Sequence, residues 1–206
     1  MVEVVDRIDV NMKQKEKVKK EENPVFKAIM DRRSVRFYKP DPLPKELIEK
    51  VIEAGNWAPS VGNLQPWRFI VVEDKYLRER LRDKAIPIWK SVMETLKEKE
   101  PKRYEIYLKQ RDRKDPIYYS APVIIFVLGP SRINCALACE NMMIAAHSLG
   151  LGSCYVGWGA LIIDDPEVTE ILELKMDESI LGPIVIGFPE KYPEPPPKDE
   201  PEVKWV

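Results

Sequence analysis

The chain has 206 residues, of which 44% are hydrophobic and 33% are charged. A chain of this length buries about 70% of its unfolded surface, so it needs no disulfides to be stable. Its 33 basic and 34 acidic residues give a net charge of -1, which argues against a nucleic-acid partner. The longest apolar run, 121–128, is too short for a membrane span, and the first ten residues show no signal segment. We therefore expect a soluble cytoplasmic protein with no nucleic-acid or membrane partner.

The chain begins with a charged segment over residues 1–23, which holds six basic and six acidic residues. This segment has few apolar residues and offers no side to a core, which favours an arm outside the folded domain. We place the domain at 24–206, with an extended tail from about residue 190. The tail has too many prolines for a core strand.

Hydrophobic periodicity and turn residues predict the elements between the arm and the tail. Helices are predicted at 24–33, 44–58, 75–100 (two helices broken at Pro87), 131–149 and 164–174, with a possible helical lid within 101–116. Strands are predicted at 68–74, 121–129 and 179–189, with a short strand or loop at 153–158. Helices outnumber the roughly four strands, so we predict an α+β fold of one small sheet flanked by helices.

One predicted helix is apolar on all sides. Residues 142–146 within the helix 131–149 read Met-Met-Ile-Ala-Ala. A helix of this kind is buried on more than one face, so it lies at the centre either of the monomer or of a dimer.

Three arginines and a serine lie within a five-residue stretch: Arg32, Arg33, Ser34 and Arg36. Basic residues at the end of a helix can complement the helix dipole without any ligand. A hydroxyl among arginines, however, suits a phosphate dianion, because charge-assisted and bidentate hydrogen bonds are the strong ones. Phosphate binding and a charged helix end both remain open on these residues alone.

A second unusual stretch is the loop 58–67, which reads APSVGNLQPW. Gly62 permits a positive φ or a close approach of the backbone to a ligand. Asn63 and Gln65 carry amides that can hydrogen-bond the edge of a heterocycle. By composition alone, however, the loop is an ordinary connection between a helix and a strand.

The chain has three cysteines and one histidine. Cys135 and Cys139 lie four residues apart in a predicted helix, but zinc would need two more ligands that the lone His147 cannot provide. We therefore predict no metal site and interpret all three thiols, Cys154 included, as structural groups in a reducing compartment. His147 lies in an apolar helical stretch, where a core histidine is more typical than a general base.

The arginine stretch and the loop, taken together, resemble the N-terminal signature of the nitroreductase-like flavoprotein family. In that family two basic residues, Ser, any residue, a basic residue and an aromatic precede a helix, then A-P-S, a segment with Asn, and Q-P-W. This chain reads RRSVRFY and then APSVGNLQPW, and its final strand ends in IVIGFP. The resemblance covers about residues 24–198.

The resemblance implies a nitroreductase-like fold with a small mixed or antiparallel sheet, in a domain-exchanged homodimer with two sites at the subunit interface. It implies FMN as the cofactor and NAD(P)H as the co-substrate. The reaction takes place at flavin N5, so no catalytic side chain is expected. The leading interpretation is hydride transfer to an electron-poor small molecule, such as a nitroaromatic or a quinone, by a ping-pong mechanism.

The resemblance also assigns residues to the flavin site. Arg32, Arg33 and Ser34 would face the phosphate and ribityl chain, and Arg36 would face the pyrimidine edge of the ring. The other cofactor-binding positions are a covering loop from the partner subunit, a segment on the opposite face and one lysine in the tail: Pro59, Ser60, Val61, Gly62, Asn63, Gln65, Tyr155, Val156, Gly157, Trp158 and Lys198.

Three alternatives stay open. One is reductive dehalogenation, which in the family uses a Glu, a Tyr and a Lys in a lid over the flavin; Glu100 and Tyr104 lie in the corresponding region. Another is fragmentation of the flavin itself. The third is a flavin-binding protein without catalytic activity.

Overall fold

The computed structural model of the protein describes residues 23–108 and 113–206. The chain divides into two units, 1–32 and 33–206. In the first unit, helix α1 (Pro24–Asp31) begins where the Asn23 side chain accepts hydrogen bonds from two backbone N–H groups. Pro24 occupies the first helical position, as expected for a residue with a fixed φ and no N–H. Apart from Asn23, the predicted arm lies outside the described residues.

The second unit contains the remaining helices and strands. Its helices are α2 (Lys45–Asn56), α3 (Lys75–Lys99), α4 (Pro101–Leu108), α5 (Arg132–Ser148) and α6 (Pro166–Ile171). Its strands are β1 (Arg68–Val72), β2 (Val123–Gly129), β3 (Gly152–Tyr155), β4 (Ser179–Ile180) and β5 (Ile184–Gly187). Two short 3-10 turns cover Val61–Asn63 and Gly157–Ala160.

The five strands of the described residues form one small sheet. Its strand order is β1-β2-β5-β3, and β4 pairs with the end of β2. Every pairing between these strands is antiparallel, whereas a parallel contact occurs at one isolated bridge, between Ser34 and Ser153. The predicted α+β fold with one small sheet is confirmed. Of the two expected kinds of sheet, mixed or antiparallel, strands β1 to β5 form the antiparallel one.

Strand β2 is buried along its whole length because both faces of the sheet carry helices. Side chains alternate between the faces of a strand, so Ile124, Phe126 and Leu128 enter one hydrophobic cluster, which includes residues of α3. Val123, Ile125 and Val127 enter the other cluster, which includes residues of α2 and α5. The apolar run 121–128 of the sequence thus reflects helices on both faces of the sheet.

Helix α3 corrects one sequence prediction, because it continues through Pro87 instead of breaking there. A proline inside a helix costs about 3 kcal/mol through its missing N–H and its ring. The buried face of α3 runs past it on both sides, at Leu81, Ala85, Trp89, Met93 and Leu96. Burial of each large apolar side chain contributes about 1.5–3 kcal/mol, which outweighs the cost of one exposed proline.

Smaller differences occur at the ends of elements. Pro44 is the cap of α2 and not its first helical residue. The strand predicted at 179–189 is two strands, β4 and β5, separated by residues 181–183. Asp165 caps α6, because its side chain accepts hydrogen bonds from the first backbone N–H groups of that helix. Among the described residues, no helix is both long and apolar enough to cross a membrane.

Candidate functional site

The segment that follows Arg33 lies in an extended conformation along the edge strand β3. The Val35 N–H donates to the Ser153 carbonyl at 2.9 Å, next to the bridge between Ser34 and Ser153. Val35 is completely buried, and its side chain occupies the space left by the missing side chain of Gly152. The hydroxyl of Tyr38 then donates to the Val35 carbonyl at 2.7 Å. These contacts hold the arginine stretch in place.

Arg36 is the residue of this stretch that faces a cleft. Its Nη1 donates to the Ser34 carbonyl at 3.1 Å, and its guanidinium lies 5.7 Å from the centre of the Tyr119 ring. Its Nε is buried and has no hydrogen-bond partner in the structure. Burial lowers the pKa of this guanidinium, but the Cys154 thiol and Tyr119 hydroxyl nearby outweigh that effect and raise it. Arg36 is therefore a fixed cation whose Nε–H is left for a ligand.

Arg113 supports the same segment and was missed in the sequence analysis. Its guanidinium donates to the carbonyl of Arg36 at 2.7 Å. It also lies 4.2 Å from the centre of the Phe37 ring and 5.5 Å from that of Tyr119. Arg113 is 77 positions from Arg36 in the chain, so no local pattern could have connected the two residues.

The cleft in front of Arg36 has a volume of about 340 Å³, within the range of small-molecule sites. Its walls come from α4, from the segment before β2, and from the end of β3 and the turn that follows. The lining residues are Arg36, Arg103, Tyr107, Tyr119, Tyr155, Val156, Gly157, Trp158 and Leu161. The cleft therefore contains Arg36 and all four residues predicted at 155–158.

The aromatic walls of the cleft are held by specific contacts. The ring of Tyr107 meets that of Trp158 edge to face, with centroids 5.0 Å apart. The Tyr155 hydroxyl donates to the Leu181 carbonyl at 2.6 Å. Burial raises the pKa of the Tyr119 and Tyr155 phenols, so both stay neutral at physiological pH. The charges on the lining side chains are therefore those of the two arginines.

The predicted covering loop does not line this cleft. Gly62, Asn63 and Gln65 all have positive φ angles, and the loop is closed by a 3.0 Å hydrogen bond from Gln65 N to Ser60 Oγ. The large apolar side chains of the loop, Val61 and Leu64, are exposed. Within one chain, the loop is thus ordered but separate from Arg36.

The other predicted phosphate and tail contacts lie in different places. Arg32 ends the first unit, directly after α1. Arg33 and Ser34 begin the second unit and are half-buried beside Val35. Lys198 lies in the exposed tail and does not line the cleft. The assignments of Arg32, Arg33, Ser34 and Lys198 to the flavin stay predictions.

The three cysteines are buried and form no disulfide. Burial raises the pKa of Cys135 to about 11 and that of Cys139 to about 12, so these thiols stay protonated. Their setting agrees with a structural role. No cluster of three or more metal-ligating side chains occurs among residues 23–108 and 113–206. His147 packs edge to face against Tyr192, with ring centroids 5.8 Å apart.

The fold and the cationic, aromatic cleft define a protein of the nitroreductase class, and comparison with known families agrees. The model of the nitroreductase family matches residues 29–188, so this chain belongs to that family. A protein of Methanothermobacter thermautotrophicus, provisionally named NADH dehydrogenase/NAD(P)H nitroreductase, is 29% identical over 178 residues. That match covers 82% of this chain and 79% of the relative.

Two solved structures show the same fold. A nitroreductase from Bacteroides fragilis with bound FMN is 27% identical, covers 88% of this chain and 95% of its own, and has a TM-score of 0.64. An iodotyrosine deiodinase bound to FMN and 3-iodo-L-tyrosine is 24% identical, with coverage of 88% and 98% and a TM-score of 0.75.

The residues of the cleft fit a flavin. The buried Nε of Arg36 lacks a hydrogen-bond partner, and the edge of a flavin ring offers acceptors for it. The flat rings of Tyr119 and Trp158 line the same space. The 3-10 turn that starts at Gly157 presents the first N–H groups of a helical turn, which have no acceptor within that turn.

Proposed function

We propose that this chain is an FMN-dependent oxidoreductase that transfers hydride from NAD(P)H to an electron-poor small molecule by a ping-pong mechanism. Nitroaromatics and quinones are the acceptor classes that we expect. The observation that carries the proposal is the unpartnered, buried Nε of Arg36 in an aromatic cleft. Bound FMN supplies hydride transfer at N5.

The residues of this chain bind and orient the flavin. Arg36 places a cation at the pyrimidine edge of the ring, where negative charge develops on reduction, and so raises the reduction potential. Arg32, Arg33 and Ser34 hold the phosphate and the ribityl chain through charge-assisted hydrogen bonds. A backbone N–H of the segment 155–158 orients the N5 side of the ring. No side-chain acid or base is assigned to the first half-reaction.

We infer that the working protein is a homodimer. Trp57 is 80% exposed, Val61 75% and Leu64 73%, and on α5 Ile133 is 75% exposed. Exposure of these apolar side chains to water is unfavourable, so we infer that a second copy of the chain buries them. In the dimer the loop 59–65 would complete the flavin site of the partner, and Lys198 would reach it from the tail. Obligate interfaces of this kind bury more than about 2,000 Å².

The cleft does not favour the dehalogenase alternative. Glu100 caps α3 and pairs with Arg103 at 3.3 Å, and Tyr104 packs against the hydrophobic cluster on the α3 face. Neither residue lines the cleft, and the α4 residues that do are Arg103 and Tyr107. We therefore place the nitroaromatic and quinone acceptors ahead of a halogenated substrate.

The test is to purify the protein, measure its FMN content and follow its reduction by NADH and by NADPH under anaerobic stopped-flow conditions. We expect about one FMN per chain, reduction by at least one nucleotide, and reoxidation by a nitroaromatic or a quinone. Light scattering should give the mass of a dimer. A colourless protein that takes up no FMN from excess would overturn the function, and a monomer with full FMN occupancy would overturn the dimer.

A further inference from the structure

The cleft is lined by a second cation that the flavin assignment does not use. Arg103 lies on α4, one helical turn before Tyr107, and both residues line the cleft. Residues four apart on a helix lie on the same face, so the guanidinium of Arg103 and the phenol of Tyr107 lie side by side at the cleft. Arg36 is assigned to the flavin ring, which leaves Arg103 for a second ligand.

The charged residues that line the cleft are all basic. The residues lining the cleft include two arginines and no aspartate or glutamate. Arg103 already has two partners, a hydrogen bond with Tyr107 and an ion pair with Glu100 at 3.3 Å, but the side chains of Arg103 and Glu100 are more than half exposed. An exposed ion pair of this kind is weak and is screened by salt. An anion that enters the cleft can therefore replace Glu100 as the partner of Arg103, because little free energy is lost when the exposed ion pair breaks.

The same wall also suits an aromatic ring. Trp158 and Tyr107 meet at nearly a right angle, 80°, and line the cleft beside Arg103. Aromatic rings pack well in offset or edge-to-face arrangements against such a pair. A planar carboxylate matches the fork of N–H groups on a guanidinium, which permits two parallel hydrogen bonds.

We propose that the acceptor of this enzyme is an electron-poor aromatic molecule that carries a carboxylate, and that Arg103 binds this carboxylate. The inference rests on the proposed function and narrows its substrate class. Arg103 is assigned to binding and orientation, and the chemistry stays at the flavin.

A nitrobenzoate is a suitable probe, and its reduction balances. The nitro group, one NAD(P)H and one proton give the nitroso group, NAD(P)⁺ and one water, with two electrons passing from the nucleotide to nitrogen. The carboxylate is unchanged. The matched neutral probe is 4-nitrobenzamide, which has the same ring and nitro group without the charge.

The experiment compares kcat/KM for 4-nitrobenzoate and 4-nitrobenzamide in the wild-type protein, in Arg103→Gln and in Lys102→Gln. Lys102 is an exposed residue of the same helix that does not line the cleft, so its variant controls for a general change in charge. We expect the wild type to prefer the benzoate at least tenfold. Arg103→Gln should remove this preference, by lowering kcat/KM for the benzoate about tenfold more than kcat/KM for the benzamide, and Lys102→Gln should change neither value.

A second measurement does not depend on turnover. Binding of 4-aminobenzoate and 4-aminobenzamide to the FMN-loaded protein is measured by saturation-transfer NMR, with the same variants. We expect the acid to bind more tightly, and Arg103→Gln to cancel the difference. Equal affinities in the wild type, or equal losses for both ligands in Arg103→Gln, overturn this inference. Absence of turnover with every acceptor, together with selective binding of the acid, overturns the proposed function and leaves only the carboxylate-binding role of Arg103.

Discussion

The guanidinium of Arg113 holds the backbone of Arg36 through a 2.7 Å hydrogen bond to its carbonyl oxygen. The same guanidinium covers the exposed ring of Phe37, the next residue in the chain. Arg113 thus fixes the main chain at the residue that we place against the flavin ring. It acts on the site as a positioning residue and does not line the cleft.

Replacement of Arg113 by Ala should weaken FMN binding but not abolish it. The lost hydrogen bond and cation–π contact are each worth about 1 kcal/mol, so we expect the Kd for FMN to rise about tenfold. The reduction potential should also fall, because Arg36 is less well placed. Fluorescence titration and redox titration measure both effects. Lys114→Ala, at the next exposed position, is the control, and an Arg113→Ala protein that matches it in both measurements would contradict the role.

Arg36→Ala should affect the reduced state more than the oxidised one. FMN should still bind, with a loss of about 1.5–3 kcal/mol, the usual contribution of a hydrogen bond to a charged group. The midpoint potential of the bound FMN should drop, because Arg36 stabilises reduced FMN more than oxidised FMN. The drop is about 30 mV for each 1.4 kcal/mol of this difference that is lost. Arg32→Ala should do the reverse and reduce FMN affinity with little change in potential. If Arg36→Ala leaves the potential unchanged, Arg36 does not face the ring.

Gly152→Ala should disturb the site through Val35. A Cβ at position 152 would lie 2.8 Å from the Val35 side chain, closer than atoms can pack. The segment that carries Ser34 must then move off β3, so we expect weaker FMN binding and a loss of stability of about 1–3 kcal/mol. Gly150→Ala is the matched control, because its Cβ would meet nothing within 4 Å. Alanine at the positive φ of position 150 should cost about 1 kcal/mol of stability. FMN affinity, however, should not change.

Glu178 should make stability depend on pH. Its carboxylate accepts two hydrogen bonds from Arg68, at 2.7 and 2.8 Å, and the Arg68 guanidinium lowers its pKa. A carboxyl group with a lowered folded pKa stabilises the protein above its unfolded pKa, near 4.3, and this stabilisation is lost as the pH falls through the folded pKa. Glu178→Gln should therefore lower the free energy of unfolding by about 2 kcal/mol at pH 7.

Urea denaturation at several pH values between 7 and 3 measures this effect. The difference in the free energy of unfolding between the wild type and Glu178→Gln should become smaller as the pH falls below 5. Glu49→Gln is the control, since Glu49 pairs with Lys45 at the surface and should matter little at any pH. A difference for Glu178→Gln that is constant from pH 7 to pH 3 would show that its charge is not the cause.

Truncation after Pro189 should weaken the proposed dimer. Residues 190–206 are exposed, and the tail ends with Trp205 91% exposed and Val206 beside it. Prolines favour an extended conformation, which suits a tail that lies over a second subunit. We expect a higher dimer dissociation constant by analytical ultracentrifugation. The double variant Val203→Ser, Trp205→Ser should reproduce the effect in the full-length chain, and an unchanged constant in both would refute the idea.

The sequence by itself determined the elements whose signals are local. The apolar run 121–128 lies in the segment predicted as a strand, which is β2, and the stretches RRSVRFY and APSVGNLQPW identified the family. Each of these features depends on residues that are neighbours in the chain. Backbone preferences, caps and turn residues act over a few positions, so they can be read without knowing what packs against them.

Tertiary structure decided the rest. Pro87 predicted a break in α3, but the buried face on both sides of Pro87 keeps the helix continuous. The possible lid predicted within 101–116 contains Arg103, Tyr107 and Arg113, but nothing in their local sequence indicated which of its residues contact the site. Their roles come from contacts with residues far away in the chain, such as Arg36 and Trp158. Such contacts are set by which faces of the sheet and helices bury apolar surface, and this is a property of the whole fold.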